Sequence, residues 1–225
     1  MSDEHSGSET HDTHTEDAEE RLPQPDPARD KPSQAEGDAR EPQRVSPVDP
    51  ARDHIWGDPD APLTLVEYGD FQCEFCLKAS GSTDEVVRAL GDRMRYVWRH
   101  APLTRFHPNA LAAAEASEAA ALQGRFFEFE RSLFKDQANQ LPSHMIRRAQ
   151  ELGLDVERFE ADLASAAVAA RVRDDLLDAE QMDITAVPTF FVNGRRHVGP
   201  YDAQSLIRAL LDPAPDPTRM PDDAG

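Results

Sequence analysis

The order of elements along this chain predicts an α/β fold, in which a β-α-β unit is followed by a block of helices, a β-hairpin and a last helix. Three observations predict it. Two short β-prone runs, at 63–68 and 94–99, enclose a stretch of helical character. From 108 to 182 the chain is rich in Ala, Leu, Glu and Arg, broken only by Gly124, Pro142 and Gly153. Beyond that block, Asn193-Gly194 stands between β-rich arms, the pairing that supplies the positive φ angles of a two-residue hairpin turn.

Taken in order, Ile55-Trp56 marks the start of the folded region, and the turn string from Gly57 to Pro62 leads into the first core strand, Leu63-Thr64-Leu65-Val66-Glu67-Tyr68. From Cys73 to about Leu90 a helix is expected, with Leu77, Val86, Val87 and Leu90 facing the core and Gly91 as its stop. The strand at 94–99 would then lie parallel to the first, joined by a right-handed crossover. The middle block reads as five helices, at 108–123, 125–136, 143–152, 155–164 and 167–182. Phe126, Phe127, Phe129, Leu133 and Phe134 are spaced as a core-facing stripe and not as a ligand-stacking box. Hairpin arms are expected at 189–192 and 195–198, and a final helix from Asp202 to Leu211 starts at a capping Asp and stops before Pro213.

The 225 residues suffice for one sizeable domain with appendages. Residues 1–54 carry seven prolines, fifteen Asp/Glu and six Lys/Arg but no aromatic side chain, and are expected to form a disordered acidic tail. His5, His11 and His14 in it read as incidental polar residues. The domain proper is expected at 55–212, and 213–225 as a second flexible tail. With a net charge of -19 and no basic patch, nucleic acid is an unsuitable partner. The first twenty residues hold eight acids and no base, the reverse of a secretory start, and no segment approaches a membrane span. A cytoplasmic address and a monomer are the expectation.

Only two cysteines occur, in Gly69-Asp70-Phe71-Gln72-Cys73-Glu74-Phe75-Cys76. Three readings compete. A structural staple would close a very short loop and add little chain-entropy stabilisation. A zinc site would need two further ligands from His100, His107, His144 and His197, which form no second metal-like doublet. A redox pair needs a nucleophilic thiol at a helix N-terminus and a second thiol one turn on, which this spacing supplies.

The strand-to-Cys-x-x-Cys-helix passage, the helical insert at about 108–165 and Val187-Pro188-Thr189-Phe190 opening a hairpin together resemble the DsbA-like branch of the thioredoxin superfamily. The compact bacterial members, which stand alone or appended to sodium/proton antiporters, have strings similar to Leu65–Phe71, Phe190–Gly194 and Gly199–Asp202. The likeness implies a thioredoxin fold with an α-helical insertion over 55–212 and a thiol:disulfide oxidoreductase. It implies Cys73 as exposed nucleophile, Cys76 as buried resolving thiol, and Glu67 as a buried carboxylate that accepts the Cys76 proton. It also implies a cis peptide before Pro188, exposing the backbone of Val187 for pairing with a substrate polypeptide. No metal and no cofactor beyond the Cys73–Cys76 disulfide are implied. Partners would be protein or low-molecular-weight thiol substrates and an electron-exchange partner. The central dipeptide departs from the Pro-His familiar in DsbA. Glu74-Phe75 places a negative charge beside the thiol, which is expected to raise the Cys73 pKa and make the couple more reducing. Direction, whether reduction, oxidation or isomerisation, stays open, as does a redox-sensing module without turnover.

Overall fold

Strand β2 (Leu63–Gly69) lies at the middle of the sheet because both of its faces are apolar enough to be covered, and six of its seven residues are buried. The structure, a computed structural model, describes residues 44–212. Strands β1 (His54–Gly57), β3 (Met94–His100), β4 (Thr189–Val192) and β5 (Arg195–Arg196) complete a five-stranded sheet of order β1-β3-β2-β4-β5. Strands β2 and β3 run parallel with Gly69 opposite His100, whereas β1 and β4 run antiparallel to their neighbours. This is the thioredoxin-like arrangement. Helix α1 (Glu74–Leu90) makes the crossover between β2 and β3.

Between β3 and β4 come α2 (Ala110–Ala121), α3 (Phe126–Lys135), α4 (Pro142–Glu151), α5 (Val156–Leu163) and α6 (Ala166–Gln181), and α7 (Ala203–Leu211) follows the hairpin. Alternation along β2 sorts these helices. Glu67 bonds to Thr83 of α1, and its neighbour Tyr68 bonds to Asp178 of α6, so α1 and α6 cover opposite faces of the sheet. The expected aromatic stripe of α3 is core as read, with Phe126, Phe129, Leu133 and Phe134 buried, while Phe127 is half-buried.

Three expectations need correction. In α1 the buried stripe is Cys76, Ala79, Thr83, Val86 and Leu90, spaced three and four apart; Leu77 falls outside it and is exposed. The hairpin turns at Asn193 and Gly194, with φ 48° and 84°, but β5 ends at Arg196 instead of reaching 198, since Gly199, at φ 138°, and Pro200 follow closely. The domain also begins before 55. Residues 44–54 are packed against it, with Val45 N–H donating to Gly194 and Val48 resting on the core. Residues 1–43, including His5, His11 and His14, and 213–225 lie outside the described residues.

What holds 44–53 in place is Arg99, a fully buried cation on β3. Its guanidinium donates to both oxygens of Asp53 (2.9 and 2.8 Å), to Asp178 (2.9 Å), to the Tyr68 hydroxyl (3.0 Å) and to the Pro47 carbonyl (3.1 Å). Ser46 bonds to Asp178 as well. A strand residue that looks like a surface arginine in sequence is thus the hub of a buried ion cluster. No helix among the described residues is long and apolar enough to cross a membrane.

Removing one partner of a buried ion pair costs more than the pair contributes, because the remaining charge keeps its desolvation penalty. Arg99→Met is therefore expected to lower the unfolding free energy by about 3–5 kcal/mol, read from urea midpoints. An unchanged midpoint would refute the hub role.

Candidate active site

The turn from β2 into α1 is built around Asp70. Its buried carboxylate accepts from the Gln72 N–H (2.7 Å), the Leu103 N–H (2.8 Å) and His107 Nδ1 (2.7 Å). Its carbonyl accepts from the Cys73 N–H (3.1 Å), and its own N–H points at Cys76 Sγ (3.5 Å). Gly69 just before it has no room for a side chain, since a Cβ there would enter the indole of Trp98. From the far side, Gln137 donates to the carbonyls of Phe71 (3.0 Å) and Cys73 (2.9 Å), and Gln140 to that of Phe71 (2.7 Å). The turn is fixed at every peptide.

Cys73 is the N-cap of α1, and Cys76 sits one turn along it. Both are free thiols. The Val187–Pro188 peptide bond is cis, and the Val187 carbonyl lies 3.6 Å from Cys73 Sγ, which donates to it. With that carbonyl as a roof, Cys73 is only 4% exposed, which corrects the expectation of an open nucleophile. The Cys76 thiol, donating to Cys73, is the largest force that brings the Cys73 pKa down to about 6. Burial opposes it, and the N–H groups of Cys76 and Phe75 and the charge of His107 add to the fall.

Behind the pair, Cys76 is held far above the ordinary thiol range by burial, then by its bond to Cys73 and the charge of Glu67. Glu67 is itself buried, 1% exposed, beneath the site. It accepts from the Tyr96 hydroxyl (2.9 Å) and from Thr83 Oγ1 (3.5 Å). Burial pushes its pKa up to about 8, against the pull of those two donors. The carboxyl thus titrates close to neutral pH.

Glu74 does not act as expected. Its side chain is turned to solvent, 3.9 Å from Lys78 Nζ, where water and the neighbouring cation screen its charge, and the Cys76 thiol, the helix-start N–H groups and His107 bring the Cys73 pKa down. Phe75 is half exposed, with Lys78 Nζ 5.0 Å from its ring centre.

Of the four histidines weighed as metal ligands, only His107 joins this site. His144 faces the Leu141 N–H, and His197 bonds to the Pro200 carbonyl. His100 pairs with Glu118 (2.9 Å), which also takes His54 (2.7 Å). Those three are the one group among the described residues whose ligand atoms converge as for a metal ion. The donor set is unsuited to one. Trp98 Nε1–H donates to His100 Nδ1 (3.2 Å), so the ring's proton is on Nε2, the nitrogen a metal would need bare.

Asp70, Gln137, Gln140, Tyr96 and Thr83 are not singled out from sequence as site residues, and His107 enters there only as a candidate metal ligand. One signal was available for His107. In a parallel pair both C-terminal strand ends emerge on the same side, so the loop after β3 must lie beside the Cys turn that follows β2.

Titration of the reduced protein, followed by thiolate absorbance, is expected to give a Cys73 midpoint near pH 6. His107→Ala removes a stabilising cation, and the midpoint should rise by about one pH unit or less. A fall, or no movement, would remove His107 from the site.

Comparison with known proteins agrees with this geometry. A family model described as Thioredoxin matches residues 50–212. A thioredoxin-like oxidoreductase from Silicibacter pomeroyi superposes with a TM-score of 0.64 at 27% identity, over 72% of this chain and 91% of that one. BdbD from Bacillus subtilis, at 22% identity, shares the fold with a TM-score of 0.65 over 76% of this chain and 97% of its own. In sequence, the chain is 58% identical over 168 residues to the Na(+)/H(+) antiporter NhaA 1 of Mycobacterium sp. strain KMS, a match of 74% of this chain and 27% of that protein. The chain therefore spans about a quarter of the length of such relatives. With a matching model over most of its length, the Cys-x-x-Cys turn at a helix start and a facing proline, the chain belongs to the thioredoxin family.

Proposed function

We propose that the protein exchanges disulfides with polypeptide or low-molecular-weight thiol substrates through Cys73 and Cys76. The observation that carries this is the meeting of Cys73, at the N-terminus of α1, with the Val187 carbonyl just before cis Pro188. The Cys73 thiolate attacks one sulfur of a substrate disulfide, and the other leaves as a thiolate. Cys76 then attacks Cys73 Sγ, closing the Cys73–Cys76 bond and releasing the second substrate sulfur, while Glu67 accepts the Cys76 proton. Two electrons pass from the cysteine pair to the substrate. In the opposite direction the same steps run backwards.

Val187 offers backbone for strand-like pairing with a substrate chain. Beside it, a hollow of about 330 Å³ is lined by Pro188, Thr189, Phe190 and Val198, the last 89% exposed. Phe75 and Phe106, 49% and 72% exposed, add apolar surface on the first turn of α1 and next to His107. Such a surface suits an extended peptide with apolar side chains, and Arg196 and His197, which line the same hollow, suit an acidic group beside them. The proposal includes the cytoplasmic address and monomeric state expected from the sequence, and an electron-exchange partner.

Insulin reduction driven by dithiothreitol tests the reading. Wild type should precipitate the insulin B chain, Cys73→Ser should not, and Cys76→Ser should accumulate a mixed disulfide at Cys73 visible by intact mass. Absence of turnover in the wild type would leave redox sensing in its place.

The couple's poise follows from the nucleophile. A pKa of about 6 at Cys73 lies between the values near 7 for thioredoxin and about 3.5 for DsbA. Its potential should then fall between about -270 and about -120 mV, so the pair is more reducing than DsbA. A glutathione titration placing it at or above the DsbA value would contradict this.

A further inference from the structure

Cys73 is nearly covered by the Val187 carbonyl, and Cys76 and Glu67 are both buried behind it. The proton that Cys76 gives up needs another way out. On the same side of the sheet a cleft of about 600 Å³ runs between α1 and α3, lined by Ser80 and Thr83 of α1, Glu130 and Phe134 of α3, and Tyr96 of β3. Tyr96 and Thr83 are also the two groups that donate to Glu67, at 2.9 and 3.5 Å. The hidden carboxylate is therefore one hydrogen bond from the cleft.

Glu130 is a second buried acid there, with no part in the chemistry described so far. Among the described residues it has no ion-pair partner. The adjacent cation, Arg131, lies instead over the Trp56 ring, 4.6 Å from its centre. Burial, then the charge of Glu67, holds the Glu130 carboxyl well above the ordinary range, with Arg131 opposing and Asp84 adding to the rise. A neutral acid of this kind can take a proton on one oxygen and release one from the other.

We infer that Glu130 is the outer member of a proton path that runs from Cys76 through Glu67 and the Tyr96 hydroxyl into the water of the α1–α3 cleft. In the closing step the Cys73–Cys76 bond forms, the bond from Cys73 to the substrate sulfur breaks, and that sulfur leaves with the electron pair. The Cys76 proton moves to the Glu67 carboxylate. Glu67 passes it to the Tyr96 oxygen as Tyr96 hands its own proton into the cleft, where Glu130, on the same lining, takes up one proton and releases another to solvent. The departing thiolate draws its proton from solvent, so the count balances. Glu130 acts through Glu67 and is a positioning residue for proton transfer; the inference rests on the disulfide-exchange reading above.

Stopped-flow reaction of the reduced protein with dithionitrobenzoate separates the steps: the first coloured thiolate reports attack by Cys73, the second reports closure by Cys76. Glu130→Gln should leave the first release unchanged and slow the second by about tenfold, a modest share of what proton transfer contributes to catalysis. Added imidazole or formate, small enough to enter the cleft, should restore it. An unchanged second release, or a slow one that these carriers fail to rescue, overturns the inference. Leu77→Trp narrows the cleft from the exposed side of α1 with every carboxyl left in place, and should slow the same release. Should Glu130→Gln fail to fold, an unchanged second release in Leu77→Trp overturns the path by itself. Glu67→Gln is the control on the underlying reading. If it closes at the wild-type rate, Glu67 is not the proton acceptor; if it is slow while Glu130→Gln is normal, only the outer path fails.

Discussion

One buried carboxylate, that of Asp70, holds the reactive turn to the rest of the molecule. Its oxygens take donors from Gln72, Leu103 and His107, and its backbone reaches Cys73 and Cys76. Hydrogen bonds to an ionised acceptor are roughly twice as strong as neutral ones, and three of them converge on one side chain. The start of α1 and the loop beyond β3 are thereby a single rigid piece. The position of Cys73 against the Val187 carbonyl, the reach of His107 and the depth of Cys76 all depend on that piece.

Within the site, neighbouring groups of similar chemistry are pushed in opposite directions by their surroundings. Cys73 accepts from the Cys76 thiol and from N–H donors at the helix start and ionises easily; Cys76, one turn further in, is kept protonated by burial, by that bond to Cys73 and by Glu67. Glu67, with no cation partner among the described residues and held by two hydroxyls, shares the proton question with Cys76 instead of forming a fixed ion pair. An unpaired buried acid is a cost to folding. The sheet tolerates it because the hydroxyls of Tyr96 and Thr83 meet one oxygen, although the other, Oε1, stays without a partner.

What could be read from the sequence was whatever depends on near neighbours. The β2-to-α1 passage, the five helices of the insert and the Asn193-Gly194 turn announce themselves by periodicity and turn chemistry, and each stands within a few residues of its expected place. Glu67 and Pro188 came from family likeness, and lie beneath and opposite the cysteines. Hidden from such reading were contacts made across long stretches of chain. Gln137 and Gln140 reach the Cys turn from more than sixty residues away, in a loop with no distinguishing pattern. Asp53 looked like part of an acidic tail because its partner, Arg99, is 46 residues distant. Leu77 was placed in the core by its hydrophobicity alone, whereas the helical phase set by Cys76 and Thr83 turns it towards the cleft.

The strap at 44–53 has a consequence for how this unit can be carried in longer proteins. Because Ser46, Pro47 and Asp53 share the cluster around Arg99, the shortest stretch that keeps all of that cation's hydrogen bonds starts no later than Ser46. A fusion joint at residue 55 would cut through the core of the domain, not through a linker. Any neighbour joined upstream must have its swivel before the strap, so bending there leaves β3, and with it the floor of the redox site, undisturbed.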